Sequence, residues 1–406
     1  MRAIYVEKDL ARMLAVKMLR GVWPGVIWSG LSPARIVDVP EPPLPGDRWL
    51  RVRNQQCGVC ATDLSLLQVK ADPAVAPAAL PGNTRFYLGH EVIGRVVETG
   101  PKVSRFQVGD RVLMESRFLG PNCHTQEIEP ACRFCAEGQT RLCENASLAL
   151  GPKGAGGGWG DSYTAHETEL WPVPDDIEAD QASMVEPMSV ALHGVLRRPP
   201  VPGRQVLIVG AGIIGLLTLQ AIKAVEPAAE VSVMARYRHQ VEAAQALGAD
   251  RILAEGDSYQ AVAEATGGKL YRAPMNRGMI LGGYDLIYDC VGSAQTVNDS
   301  LRWARAGGAV VLVGIDLGLL KVDLNPVWYQ EVDLVGSNSF GFEQWRGRRI
   351  HTFDLVLEML QEGVMKTDGL ITHRFALDQI KQAVAAASDK RSGAIKVTLS
   401  LDGGEA

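Results

Sequence analysis

A strand, a glycine turn and a helix in immediate succession constrain this chain more than any other feature. Val206-Leu-Ile-Val-Gly210-Ala-Gly212-Ile213-Ile214-Gly215 is GxGxxG, placed directly after an apolar strand and opening a helix. Gly210 permits the tight turn, Gly212 lets backbone approach a pyrophosphate, and Gly215 lets helix and strand pack closely. The helix N-terminus then favours the phosphate charge. The residues that follow repeat the alternation. Gln205–Val209, Glu230–Met234, Asp285–Tyr288 and Ala309–Val313 read as strands; Gly215–Val225, Gln240–Leu247 and Thr296–Ala304 read as helices. This predicts an α/β domain with a doubly wound parallel sheet.

The first 190 or so residues have another character. Short alternating apolar runs, such as Trp49–Val52 and Val92–Glu98, are separated by Pro/Gly turns and read as β-rich. The segment from Phe118 to Cys143 breaks that pattern and carries cysteines. From about Phe342 the tail reads as helix, loop, helix and a last strand, Ala394–Leu399. A length of 406 residues accommodates two or three domains.

Composition removes several classes of function. The net charge of −5 argues against a general nucleic-acid or anionic-membrane partner. The most apolar stretch, Val206–Ile222, is interrupted by three glycines and is too short to span a bilayer. Glu7 and Asp9 stand where the apolar part of a signal peptide would begin. A cytoplasmic protein is expected, with no membrane partner, and its seven cysteines are then thiols or metal ligands.

The second strand of a dinucleotide-binding unit commonly ends in an acid that binds the ribose 2′-hydroxyl. Here that position is Ala235, followed by Arg236, Tyr237 and Arg238. A small residue and nearby guanidinium groups suit a 2′-phosphate, so NADP(H) is expected over NAD(H). Solvated surface arginines are the competing reading. With Gly210, Gly212, Ile213, Ile214 and Gly215, the expected cofactor residues are Ala235, Arg236, Arg238, Val291 and Gly314.

Three short motifs supply metal-competent groups. Cys60 lies in Cys57-Gly-Val-Cys60-Ala-Thr62-Asp63, His90 and Glu91 lie in Leu88-Gly-His90-Glu91, and Glu186 lies in Val185-Glu186-Pro187. Scattered Cys, His and Glu ligands suit a catalytic zinc with an exchangeable position. Cys57 reads instead as a buried core thiol.

Taken in order, Cys60-x-x-Asp63, Gly89-His90-Glu91, Val108-Gly-Asp-Arg-Val112, the GxGxxG at Gly210, Asp289-Cys-Val-Gly292 and Gly307-Gly308 resemble the zinc-dependent medium-chain dehydrogenases/reductases, across nearly the whole chain. Glu186-Pro-Met-Ser-Val190 is similar to the motif of the polyol and sugar dehydrogenase branch. The resemblance implies a GroES-like catalytic domain over 1–191 with a cysteine lobe at 118–143, a Rossmann domain over 192–341, and a return segment over 342–406 that completes the catalytic domain. It implies catalytic zinc at Cys60, His90 and Glu91, with Glu186 binding directly or through water. Thr62 would pass on the substrate proton, and Asp63 would orient the site. Position 65, often a relay histidine in the family, is Ser65. Homodimers or homotetramers are implied, with Val332–Ser337 as the kind of strand that pairs across a dimer.

The cysteine lobe departs from the family. Cys132, Cys135 and Cys143 match the last three ligands of its structural zinc, but Glu129 stands where the first cysteine belongs. Cys123 is the favoured fourth ligand, with Glu129 and His124 as alternatives. Segments 9–30, 118–130 and 266–283 are longer than the family's norm, and the first reads as a helix packed on the catalytic domain. The expected function is hydride transfer between a nicotinamide and a secondary alcohol, polyol or sugar. A biosynthetic aldehyde or ketone reductase is the nearest alternative, and a non-catalytic NADPH-binding redox sensor is the alternative of another class.

Overall fold

The computed structural model describes residues 1–72, 84–115, 121–146, 153–253, 256–272 and 278–401. The expected start of the cysteine lobe at 118 and part of the third long segment, 273–277, lie outside the described residues. The chain forms two compact units, Met1–Glu186 with Ile371–Ala406, and Pro187–Leu370. Among the described residues no helix is long and apolar enough to cross a membrane.

The first unit is built from β1 (Arg2–Glu7), α1 (Leu10–Leu19), β2 (Ala34–Asp38), β3 (Trp49–Gly58), α2 (Ala61–Leu67), β4 (Arg85–Tyr87), β5 (Val92–Thr99), β6 (Arg111–Met114), β7 (Ser162–His166) and β8 (Leu170–Pro172). β1 pairs antiparallel with both β2 and β4. The larger sheet is antiparallel from β3 through β5 and β6 to β8, with β7 also on β3. Leu50, Val52, Val92 and Val96, alternate residues of β3 and β5, face one core with Leu67, Trp159 and Tyr163. This is the burial that period-2 patterning produces.

The second unit contains the predicted parallel sheet. β9 (Gln205–Val209), β10 (Glu230–Met234), β11 (Arg251–Leu253), β14 (Tyr284–Asp289), β15 (Ala304–Leu312) and β16 (Asp333–Gly336) lie in the order β11-β10-β9-β14-β15-β16, every pairing parallel. β12 (Lys269–Tyr271) and β13 (Met279–Leu281), both in the third long segment, pair antiparallel. The order is that of a doubly wound dinucleotide-binding domain. Four of the five β9 residues are buried, as a central strand covered on both faces requires. Gly210 has a φ of 93°, and a Cβ on Gly215 would overlap the Gly210 carbonyl oxygen. Both glycines are therefore required by geometry.

The unit boundaries differ from the expected ones. The chain leaves the first unit at Glu186, inside the helix Ala179–Arg197, rather than at 191. It returns at Ile371 rather than 342. Residues 342–370 begin with a β-hairpin, β17 (Phe342–Trp345) and β18 (Arg348–His351), followed by a helix, Thr352–Gln361. The hairpin escaped the sequence reading because charged residues alternate through it. Its two-residue turn, Arg346–Gly347, takes positive φ at both positions, and Arg346 is an uncommon residue for that. The return consists of β19 (Ile371–Ala376), a helix (Ile380–Ser388) and β20 (Lys396–Ser400). β20 pairs parallel with β19 and antiparallel with β3.

Candidate active site and metal centres

β3 ends at Gly58, and Cys60 is the N-cap of α2. His90 and Glu91 sit immediately before β5. Because β3 and β5 are paired neighbours, Cys57 opposite Val92, the two motifs meet at one end of the sheet. One donor atom from each of Cys60, His90 and Glu91 lies within 4.8 Å of the others. Asp63, one turn along α2 and buried, accepts the Gly89 N–H at 3.0 Å and stands 3.4 Å from His90 Nδ1. Cys57, outside this trio, is fully buried in the core and donates to the Gly58 carbonyl at 3.3 Å.

The last strand adds a residue that the sequence reading did not single out. Lys396 Nζ ion-pairs with Glu91 Oε2, and both side chains are all but inaccessible. Gly58 makes room for the pair: a Cβ there would overlap Glu91 Oε2 and stand 2.8 Å from Lys396 Cε. The only signal in the sequence was a lysine within an apolar terminal strand.

The electrostatics are those of a buried cluster of both signs. Burial would lower the His90 pKa, but the Asp63 charge, Cys60 and hydrogen bonds to both hold it well above the ordinary value. Burial likewise works against the Lys396 charge, and Glu91 and Cys60 outweigh it. Glu186 lies outside the donor trio. Burial pushes its carboxyl up to about 7, opposed by His90 and reinforced by Glu91. Thr62 is half-buried on the first turn of α2.

The cysteine lobe forms a second cluster. One sulfur each from Cys123, Cys132, Cys135 and Cys143 lies within 4.8 Å of the rest. Cys123 Sγ receives N–H groups from the Cys132 backbone at 3.4 Å and from Asn145 Nδ2 at 3.2 Å. The Asn145 backbone donates to Cys143 Sγ at 3.3 Å. N–H groups aimed at sulfur are the surroundings of a metal-bound thiolate. His124 bonds through Nε2 to the Cys135 carbonyl instead, and Glu129 stands outside the cluster. Burial raises the Cys135 and Cys143 pKa, whereas backbone N–H groups overcome burial at Cys132 and bring it down to about 7.

The expected cofactor residues gather at the C-terminal ends of the parallel strands in the second unit. Gly210, Gly212, Ile213, Ile214 and Gly215 join β9 to the helix Ile213–Val225. Val291 follows β14 and Gly314 follows β15. A Cβ on Gly210 would overlap Val291, and one on Gly314 would overlap Cys290, so the three turns touch. Ala235, after β10, is buried. The Arg236 guanidinium lies 5.7 Å from the Tyr237 ring centroid, and exposed Arg238 pairs with Glu242 at 2.7 Å. His193, on the long helix, is buried and bonded to Glu343.

Residues 46–175 match the family described as the alcohol dehydrogenase GroES-like domain, and residues 214–353 match the zinc-binding dehydrogenase family. The chain is 30% identical over 363 residues to a sorbitol dehydrogenase of Arabidopsis thaliana, covering 88% of this chain and 90% of that one. It is 30% identical to an L-idonate 5-dehydrogenase of Vitis vinifera, over 87% and 88% of the two chains. The crystal structure of 2R,3R-butanediol dehydrogenase from Bacillus subtilis aligns with a TM-score of 0.66 and 25% identity, over 90% of this chain and 96% of that one.

Proposed function

From the premise that the chain belongs to the zinc-type medium-chain alcohol dehydrogenases, and is thus an oxidoreductase acting on CH–OH donors, we propose that it moves hydride between a polyol, sugar or other secondary alcohol and NADP(H). The observation that carries this is the convergence of Cys60, His90 and Glu91. A thiolate, an imidazole and a carboxylate leave a fourth tetrahedral position open, as catalytic zinc needs. Zinc held there supplies Lewis-acid polarisation of the substrate oxygen, and the nicotinamide supplies the hydride acceptor. Asp63 holds the His90 ring through Nδ1, which leaves Nε2 to the metal. Thr62 Oγ1 would accept the substrate hydroxyl proton while passing on its own, and with Ser65 in place of a histidine that proton would leave through water. Glu186, outside the donor trio, would reach a metal held there through a water.

Ala235 leaves space beside the ribose, and Arg236 and Arg238 offer guanidinium groups to a 2′-phosphate. The tetrad Cys123, Cys132, Cys135 and Cys143 holds a structural zinc, with Cys123 reaching back as fourth ligand. None of the seven cysteines is in a disulfide, and five of them, Cys60, Cys123, Cys132, Cys135 and Cys143, lie in the two donor clusters instead.

The test is a turnover screen of zinc-loaded protein on polyols, sugars and simple alcohols, with NADP⁺ and NAD⁺ in parallel and metal content measured. NADP⁺ reduction by a polyol or sugar is expected, with zinc at both donor clusters. Arg236→Ala should lower the NADP⁺ preference by about tenfold or more, the worth of one charge-assisted bond. An unchanged preference overturns the cofactor assignment, and a single zinc per chain overturns the second metal site.

A further inference from the structure

The N-terminal long segment folds as the expected helix, and Met13, Val16 and Leu19 of α1 pack on the first unit's core. Its end also makes a directed contact. Arg20, the C-cap of α1, donates from Nη1 to the Gln68 carbonyl at 2.8 Å. Gln68 is the C-cap of α2, the helix that Cys60 caps at the other end and that carries Thr62 and Asp63 in its first turn. The Gln68 side chain is tied as well, donating to Ser388 Oγ at 3.0 Å. One end of α2 thus bears the chemistry, and the other is held from 48 residues upstream and 320 downstream.

The way α2 stops shows that it is held from outside. The Lys70 N–H returns to the Ser65 carbonyl at 2.8 Å and the Val69 N–H to the Leu66 carbonyl at 3.0 Å, the two bonds of a Schellman stop. Such a stop puts the residue after the cap in the left-handed region, where glycine is the usual choice. Here that residue is Val69, at a φ of 52°. A β-branched side chain is a true outlier there, and backbone strain persists only where the surroundings over-determine it. Val69 is 2% exposed and belongs to one core cluster with Leu64, Leu67 and Val16 of α1. With seven residues, α2 is also too short to be stable alone. Its setting comes from packing and from the bonds at its C-terminal end. Of those bonds the one from Arg20 carries charge, and the helix dipole favours a cation at that end.

We propose that Arg20 is a positioning residue for the reaction. Its grip on the Gln68 carbonyl fixes the rotation and tilt of α2, and with them the places of Cys60, Thr62 and Asp63. Asp63 passes the constraint on, because it accepts the Gly89 N–H at 3.0 Å and stands 3.4 Å from His90 Nδ1. One short helix therefore sets a metal donor, the proton-accepting hydroxyl and the orienter of a second donor, and the N-terminal segment holds its far end. This rests on the reading that Cys60, His90 and Glu91 hold the catalytic zinc.

The experiment compares wild type with Arg20→Ala, Arg20→Lys and Met13→Ala, each full-length and zinc-loaded. It measures kcat, KM for alcohol and nicotinamide, the chelator concentration at which zinc leaves each donor cluster, and the thermal midpoint. Arg20→Ala should lower kcat about tenfold with KM for the nicotinamide unchanged, as a slightly displaced catalytic group does. Zinc at Cys60, His90 and Glu91 should leave at about tenfold lower chelator, while zinc at the cysteine tetrad stays. Arg20→Lys keeps a cationic donor and should recover most of both losses. Met13→Ala trims the packing of the same helix but spares the Arg20 bond, so it should lower the thermal midpoint alone. The proposal is overturned if Arg20→Ala keeps wild-type kcat and zinc retention, if Arg20→Lys does no better than Arg20→Ala, or if Met13→Ala loses as much activity. A zinc-loaded wild type that turns over no alcohol defeats the proposed function, and zinc retention then decides the role of Arg20. A wild type that holds no zinc at Cys60, His90 and Glu91 overturns both.

Discussion

Lys396 balances the charge of the candidate catalytic site. Glu91 brings negative charge to a position that is all but inaccessible, and Lys396 compensates it within hydrogen-bond range. Removing one partner of such a pair costs far more than the pair contributes, because the survivor stays buried and alone. Lys396→Met should therefore destabilise the metal-free protein by about 3–5 kcal/mol. The loss should be smaller when zinc is bound, since a cation at Cys60, His90 and Glu91 takes over the compensation. Denaturant midpoints of wild type and variant, with and without zinc, check this. An equal loss in both forms would mean that Lys396 serves packing rather than charge. How much of this site could be read from the sequence follows from chain distance. Cys60, Asp63, His90 and Glu91 were legible because each motif is contiguous and its residue types are themselves the chemistry. Lys396 was not. It lies 305 residues from Glu91, and only the pairing of β20 with β3 sets it there.

At the scale of elements, the cysteine lobe and the sheet behind it meet at one carboxylate. Thr140, in the 3₁₀ turn before Cys143, donates through Oγ1 to Glu115 Oε1 at 2.9 Å, and the Glu115 backbone N–H donates to the Glu169 carbonyl at 2.7 Å. Burial pushes the Glu115 carboxyl up from 4.5 to about 7. Thr140 resists the rise, the Glu169 charge adds to it, and Arg105 and Arg141 oppose it. Between pH 4.5 and 7 the folded chain thus keeps a proton that the unfolded chain has released. Stability must fall as pH rises through that window, by up to about 3 kcal/mol from this group. Glu115→Gln keeps an acceptor for Thr140 and cannot ionise. In metal-free protein it should show a shallower decline than wild type when denaturant midpoints are compared across the window, and parallel declines would reject the assignment. The sequence showed the lobe as a departure from pattern, because cysteine spacing is a local signal. It could not show that Cys123 rather than His124 or Glu129 joins the cluster, since that is decided by how the turn around Asn122 folds. There the Asn122 side-chain oxygen accepts the His124 and Thr125 N–H groups. The β17–β18 hairpin was illegible for a related reason: its turn relies on Arg346 at positive φ.

For the whole molecule, the sequence was most informative where periodicity was strong and least where the chain changes units. The parallel sheet could be read almost strand by strand, because buried central strands are continuous apolar runs. The crossing at Glu186 falls within an unbroken helix, so no turn or composition change marks it. The same sheet leaves one question of assembly open in its own geometry. β16 is an edge strand with Leu334 exposed, and the residues before it expose Ile315, Leu319, Leu324 and Trp328, the last at 80%. An edge beside large apolar side chains invites pairing with another chain unless something blunts it, and here Arg197 Nε donates to the Gly336 carbonyl at 3.2 Å and Arg198 pairs with Asp333, so Leu334 and Val335 keep their side of the edge open. The family resemblance implies that two copies pair through this edge, as a dimer or as half of a tetramer. The double variant Leu334→Lys, Trp328→Glu should then sediment as a species of half the wild-type mass. Its thermal midpoint should depend less on concentration, because dissociation no longer precedes unfolding. If the wild type is already monomeric, or if the variant keeps the wild-type mass, β16 is not the contact. Its exposed residues would then have to be explained within one chain.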